Sequence, residues 1–301
     1  MEHFAVIDLG TNTFHILIVK KTSTHWDEVY RKRVFVNIAE HGIETLGADC
    51  YRRGMETIVE FHEELVKLEV KQVSVFGTAA LRTASNGATF RSEVKNKTGL
   101  TIEIIDGRRE ASLIAKGTKA IVDMAKGNYL IMDIGGGSVE FILVQDVEET
   151  YIESFPIGIT SLYNKLPHGE PISRDEIAKI NEYLDEQLKP LKNKLNDISI
   201  EGLIGASGSY EVLEKIITGN IAERKASRFD ITDINKQIDH IIKMDLSERL
   251  QNPSIPKQRA KLIVVAVILM KHVLNITSFK SMIISPYAIK EGALLEMMNL
   301  D

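Results

Sequence analysis

Two stretches of the chain carry the same hydropathic pattern. Residues 5–19 read AVIDLGTNTFHILIV and residues 130–144 read LIMDIGGGSVEFILV. Each is an apolar run, an aspartate, a few small residues and a second apolar run, which predicts two strands joined by a tight loop. They align without a gap, Asp8 opposite Asp133 and Gly10 opposite Gly135, as duplication of a half-molecule would produce. After the first stretch, VYRKRVFVNI predicts a third strand. Near-helical spacing of Met55, Ile58, Val59, Leu65, Val66 and Leu68 predicts a helix over 52–69. QVSVFG and LTIEII predict strands, separated by a helical stretch broken near Asn86-Gly87, and REASLIAKGTKAIVDMA predicts a further helix. The order βββαβαβα implies a mixed sheet covered by helices. The second stretch restarts that order with YLIMDI, VEFILVQ and VEETYIESF. Helices are expected at 173–194, 208–217, 232–243, 258–274 and 287–299, with strands at EGLIG and SMIIS. The boundary is expected near Lys126-Gly127, giving domains 1–126 and 127–301, with the last helix placed to pack back on the first domain.

Length and composition narrow the class. A chain of 301 residues exceeds one ordinary core, so two domains are expected. Hydrophobic content of 44% and charged content of 26% are those of a globular protein. The longest apolar run, LIVVAVILM at 262–270, is too short to span a bilayer. No basic, apolar leader precedes the strand-like sequence that starts by Phe4. Cys50 is the one cysteine, so an internal disulfide and a CxxC site are excluded. These features lead us to expect a cytoplasmic protein with no membrane partner. The net charge of −5 argues against a nucleic-acid partner.

The two loops carry the candidate chemistry. Glycine permits close approach of the backbone to a ligand, and successive N–H groups in such a turn make an anion-binding concavity. Gly135, Gly136, Gly137 and Ser138 form one candidate, and Gly10, Thr11, Asn12 and Thr13 the other. An aspartate leading into such a turn repels phosphate directly but suits a divalent cation that in turn binds phosphate. A plain hairpin turn gives the same glycine signal, but two matching loops, one opening each half, favour the phosphate reading. There is no GxxxxGK[ST] loop, no HExxH and no paired-histidine zinc spacing. GASGS at 205–209 only approaches G-x-S-x-G, because its last position is Ser209. The basic residues Lys20, Lys21, Arg31, Lys32 and Arg33 fit either a track for a phosphate chain or a solvated strand edge, the commoner case.

DLGTNTFHILIV and DIGGGSVEFILV resemble the two phosphate motifs of the actin, Hsp70 and sugar-kinase superfold. With FHI after the first loop, GGGSVE in the second and DGRREASLIAKG between them, the chain resembles the exopolyphosphatase/guanosine pentaphosphate phosphohydrolase (Ppx/GppA) family. The resemblance continues through FGTAALRTASN, FPIGITSLY and the region from Leu246 to Glu296. It implies an α/β fold of two ribonuclease H-like (actin-like ATPase) domains, each a mixed five-stranded sheet with helices, and an active site in the cleft between them. It implies an exopolyphosphatase that releases orthophosphate from inorganic polyphosphate, or a phosphohydrolase of guanosine pentaphosphate (pppGpp), assisted by Mg²⁺ or another divalent cation. A homodimer is compatible with it. Glu110 matches the family's catalytic glutamate and would orient and deprotonate the attacking water. Arg82 matches a phosphate-contacting arginine, whose planar guanidinium suits that contact. Asp8, Asp133 and Glu140 would face the metal. Glu140 also stands out by itself, as an acid within an apolar strand is costly to bury unless paired or metal-linked. His15, opposite Glu140 in the repeat, is a minor candidate.

The sequence departs from that pattern in four places. Arg109 precedes Glu110 where a second glutamate is common, GASGS replaces a more glycine-rich turn, RAD becomes Arg259-Ala260-Lys261, and GLREG becomes AIKEG with Lys290 for arginine. The loop that hosts the base and the metal site is intact, while the altered positions of the second domain lie where the resemblance puts nucleotide reading, which favours inorganic polyphosphate over pppGpp. A third reading is a polyphosphate- or alarmone-binding protein with weakened catalysis.

Overall fold

The computed structural model describes residues 2–22, 25–220 and 225–300. Contacts divide the chain into two compact units: Met1–Ala120 with Gly135–Gly137 and Ala288–Asp301, and Ile121–Ile134 with Ser138–Tyr287.

The first unit begins with strands β1 (His3–Leu9), β2 (Thr13–Lys21) and β3 (Trp26–Phe35), then helix α1 (Ala48–Lys67) and strand β4 (Gln72–Gly77). Two helices, α2 (Ala79–Thr83) and α3 (Gly87–Thr98), lead to β5 (Ile102–Ile104) and α4 (Gly107–Lys119). The helical break expected near Asn86-Gly87 separates α2 from α3. The sheet order is β3-β2-β1-β4-β5. β1, β2 and β3 form an antiparallel meander, while β1, β4 and β5 run parallel. Alternation along β1 sends Ala5, Ile7 and Leu9 into a core shared with Ile58, Phe61 and Leu65 of α1 and Phe90 and Val94 of α3. Side chains alternate across a strand, so Phe4, Val6 and Asp8 face the other way.

The second unit repeats this start with β6 (Asn128–Ile134), β7 (Val139–Gln145) and β8 (Glu148–Phe155). It continues through α5 (Ile159–Lys165), α6 (Arg174–Gln187), α7 (Lys189–Leu195), β9 (Ile200–Gly205) and α8 (Gly208–Thr218). Then come β10 (Ser227–Asp230), α9 (Ile231–Lys243), α10 (Leu246–Gln251), α11 (Ile263–Leu274) and β11 (Phe279–Ile284). The sheet order is β10-β11-β9-β6-β7-β8, so the five-stranded plan gains a sixth, antiparallel edge strand, β10. The apolar run at 262–270 is α11, buried at every position but Lys271, because it is the central helix of this unit's core. It starts at Ile263, later than the expected 258, because residues 256–262 form turns after Pro256. No helix among the described residues is long and apolar enough to cross a membrane.

The last helix, α12 (Ile289–Met298), belongs to the first unit and packs on α4 and β1. A methyl group on Gly292 would lie 1.9 Å from the Leu113 carbonyl oxygen, and one on Gly117 would lie 2.2 Å from that of Ala288. The two helices therefore meet backbone to backbone. Arg109 of α4 adds a two-pronged ion pair with Glu296, at 2.8 and 2.5 Å. The arginine that departs from the family pattern thus clasps α4 to α12.

Candidate active site

In the first unit the carboxyl ends of the three parallel strands lie side by side, Leu9 opposite Gly77 and Gly77 opposite Ile104. Loops leaving such ends are where open α/β sheets bind ligands. Three such segments leave here: 10–12 after β1, Thr78 before α2, and Ile105-Asp106 before α4. They bring Arg82 and Glu110 together. Arg82 Nη1 donates to the Ile105 carbonyl oxygen at 2.7 Å and lies 3.9 Å from Glu110 Oε2. Asp106 caps α4 by accepting the Arg109 N–H at 2.7 Å, which fixes the first turn that carries Glu110.

The second glycine loop joins β6 to β7, yet its tip, Gly135–Gly137, belongs to the first unit. A methyl group on Gly136 would lie 2.8 Å from Thr11 Cβ and 2.9 Å from Asn12 Cγ. One on Gly137 would lie 2.7 Å from Ala79 Cβ and 3.2 Å from Thr11 Oγ1. None of Gly10, Gly135, Gly136 and Gly137 adopts positive φ. Gly136 and Gly137 are therefore needed for space rather than for a left-handed turn, and the two loops touch through them. Gly10 N–H donates to the Thr13 carbonyl at 3.0 Å, closing the first loop, and the Asn12 carbonyl accepts from Asn37 N–H at 2.9 Å. Thr13 Oγ1 lies 2.9 Å from His15 Nε2, which fixes that ring beside Asp8, its cross-strand partner.

The acids occupy equivalent rows in the two sheets. Asp8 pairs with His15 and His15 with Arg33; Asp133 pairs with Glu140 and Glu140 with Ser154. Glu140 is 1% exposed, and its Oε1 accepts the Ser154 hydroxyl at 2.6 Å. Ser138, just before β7, is buried as well. Asp8 has its pKa raised to about 6, first by burial; the Lys290 charge opposes this rise and that of Glu291 adds to it. Within the second unit Tyr210 lies over Gly205, where a methyl group would meet its ring carbons at 2.2 Å. The Tyr210 hydroxyl is buried with no hydrogen-bond partner among the described residues, and burial and then the Asp133 charge push its pKa well up. The Arg259 guanidinium lies against Gly208 of the GASGS turn, 1.9 Å from where a methyl group would be.

The donor set fits a divalent cation. In the second unit Asp133 and its cross-strand partner Glu140 offer hard carboxylate oxygens, and in the first unit Asp8 offers another, the donor type such an ion takes. Another cluster, Glu40, His41, Asp49 and Cys50, has ligand atoms within 4.8 Å of one another. There Arg53 already donates to Glu40 at 2.7 Å, Asp49 at 2.9 Å and Cys50 Sγ at 3.3 Å, so that cluster is an ion-pair network.

Arg31 and Lys32 of the edge strand β3 are occupied, as is Lys21 at the end of β2. Arg31 pairs with Glu28 at 2.9 Å and with Glu291 at 3.1 Å, Lys32 pairs with Glu60, and Lys21 Nζ donates to the Met298 carbonyl at 2.6 Å. Tyr210 was not among the residues the sequence singled out for a site. Lys290 entered the sequence reading only as a departure from the family pattern at AIKEG, beside Glu291.

Comparison with known proteins places this geometry. A model of the Ppx/GppA phosphatase family matches residues 17–301. A guanosine-5'-triphosphate,3'-diphosphate pyrophosphatase of Vibrio parahaemolyticus is 27% identical over 98% of this chain and 59% of its own length, so the chain spans about three-fifths of that curated relative. The crystal structure of an exopolyphosphatase from Cytophaga hutchinsonii is 31% identical, with a TM-score of 0.95 over 100% of this chain and 99% of that one. A family member from Aquifex aeolicus shares the fold, at 20% identity and a TM-score of 0.84 over 99% of this chain and 98% of that one.

Proposed function

The chain belongs to the Ppx/GppA phosphatase family, and from that premise we propose that it hydrolyses the terminal phosphoanhydride of inorganic polyphosphate to release orthophosphate. The observation that carries the reading is the pairing of Arg82 with Glu110 at the carboxyl edge of β1, β4 and β5, in the same unit as the touching glycine loops. Phosphoryl transfer to water needs positioning, charge neutralisation and an oriented nucleophile. Glu110 is the base that orients the water and takes its proton. Arg82, its guanidinium held by the Ile105 carbonyl, neutralises phosphoryl oxygen beside Glu110. The amides of Gly136 and Gly137 and of the loop 10–13 receive phosphate oxygens. Asp8, Asp133 and Glu140 are the carboxylates assigned to Mg²⁺, which when bound neutralises phosphate charge and polarises the anhydride.

A second reading is favoured by the Vibrio relative: hydrolysis of the 5'-terminal phosphate of pppGpp. Both substrates end in the same phosphate chain, so the same residues serve either. The test is orthophosphate release from long-chain polyphosphate and from pppGpp side by side, with Mg²⁺ and with a chelator. Faster metal-dependent release from polyphosphate supports the first reading, and faster release from pppGpp supports the second. Release from neither refutes both.

A further inference from the structure

Thr13 opens β2, and its backbone is fixed on both sides. Its carbonyl accepts from Gly10 N–H at 3.0 Å, and Phe35 of β3 is its strand neighbour. What the backbone leaves free is the direction of the hydroxyl proton. The group that settles it is His15, whose Nε2 lies 2.9 Å from Thr13 Oγ1. Both side chains stand on the face of β2 opposite Phe14 and Ile16, which enter the core of the first unit. A hydroxyl has one proton to donate and two lone pairs with which to accept. If the ring takes the Thr13 proton, the hydroxyl presents only lone pairs to an anion. If the ring donates, the Thr13 proton is left for the anion, and the bond it accepts strengthens the one it makes. The internal repeat shows what a histidine adds here. Ser138 and Glu140 stand opposite Thr13 and His15, and Glu140 accepts the Ser154 hydroxyl at 2.6 Å. A carboxylate can only accept, so at position 15 it would consume the proton that a phosphate loop offers. An imidazole can donate.

We propose that His15 is a positioning residue: its Nε2–H donates to Thr13 Oγ1 and so turns the Thr13 hydroxyl proton toward a non-bridging oxygen of the phosphate chain. This rests on the phosphohydrolase reading and adds to it a side-chain donor in the first loop, set by a residue that does not itself touch the substrate. Because His15 acts only through Thr13, the two side chains form one functional unit. Removing either removes the same interaction, which a histidine needed merely for strand packing would not reproduce.

The test titrates inorganic tripolyphosphate, in chelator, into the wild type and four variants by calorimetry. Thr13→Val removes the hydroxyl, His15→Leu removes the ring donor, and the double variant removes both. His15→Gln keeps a donor, since its amide reaches as far along the side chain as Nε2. Thr13→Val and His15→Leu should each bind about tenfold more weakly, the low end of the range for a hydrogen bond to a charged group. The double variant should bind no more weakly than the worse of the two single variants, because the pair is coupled. His15→Gln should recover most of the affinity. A long-range ¹H–¹⁵N spectrum of the wild type, with the His15 signals assigned by their loss in His15→Gln, should show the proton on Nε2. That spectrum decides alone if His15→Leu does not fold. With a wild type that binds and hydrolyses the chain, unchanged affinity in His15→Leu, additive losses in the double variant, no recovery in His15→Gln or a bare Nε2 each overturns the role of His15 alone. A wild type that neither binds nor hydrolyses tripolyphosphate overturns the phosphohydrolase reading and this inference with it.

Discussion

Replacing Gly136 by alanine tests the contact between the two loops. The added methyl would lie 2.8 Å from Thr11 Cβ and 2.9 Å from Asn12 Cγ. The Asn12 side chain has torsional freedom to swing aside. Thr11 Cβ is fixed to its backbone, so the loops must part. Carbon atoms in contact settle at about 3.5–4.0 Å, so the loops move apart by about 1 Å. Overpacking of this kind costs about 1–3 kcal/mol. Gly136 lies outside the left-handed region, so alanine recovers about 0.4–1 kcal/mol by restricting the unfolded chain. The net loss of stability is thus between about 0 and 2.6 kcal/mol, while a misplacement of about 1 Å at a reacting centre costs on the order of 10²-fold in rate. The variant should therefore melt close to the wild type and release orthophosphate from polyphosphate roughly a hundredfold more slowly. Wild-type turnover in a folded Gly136→Ala protein would refute the claim that loop contact sets the phosphate geometry.

Other outcomes follow from the same structure. The Asp8 carboxyl, raised to about 6 chiefly by burial, keeps its proton in the folded state between 3.8 and about 6, where an unfolded chain has lost it. The metal-free protein should accordingly be favoured at acid pH and lose that contribution as pH rises through about 6. Mn²⁺ must compete with this proton, so its calorimetric affinity should fall about tenfold per pH unit below 6; a flat profile would remove Asp8 from the metal site. Tyr210→Phe removes a buried hydroxyl that lacks a partner, and should leave the melting temperature unchanged or raise stability by up to about 1 kcal/mol. A clear loss there would mean the hydroxyl is bonded in solution. Arg109→Met breaks a clasp whose partners are 39% and 38% exposed, so the cost should be under about 1 kcal/mol with turnover retained. A collapse of turnover would place Arg109 in the chemistry.

The strands that open each half were legible because each is a short apolar run, buried along most of its length, and the intervening loops hold almost nothing but small residues. Glu110 was legible only through family resemblance, as an acid in a first helical turn is ordinary by itself. The local sequence did not show that Gly136 and Gly137 would pack on Thr11, Asn12 and Ala79, because those contacts join residues between 58 and 126 positions apart. α5, α10 and β10 are short elements whose periodicity is too brief to register. The run at Arg31 and Lys32 looked like a possible track for phosphate; Glu28, Glu60 and Glu291, two of them distant in sequence, occupy it instead. Lys290 was noted only as a departure from the family pattern, and its burial went unseen for a related reason. Its burial comes from α12 returning to β1 and α4, a tertiary fact that the sequence AIKEG does not encode locally.

The central claim is that Glu110 activates water at the carboxyl edge of the first sheet. The direct measurement is single-turnover orthophosphate release from polyphosphate in Mg²⁺ by the wild type and Glu110→Gln, with polyphosphate affinity and melting temperature recorded for both. The account predicts a variant that folds, binds with near wild-type affinity and is slower by about 10²–10⁴-fold. A folded Glu110→Gln protein that releases orthophosphate at the wild-type rate would contradict it.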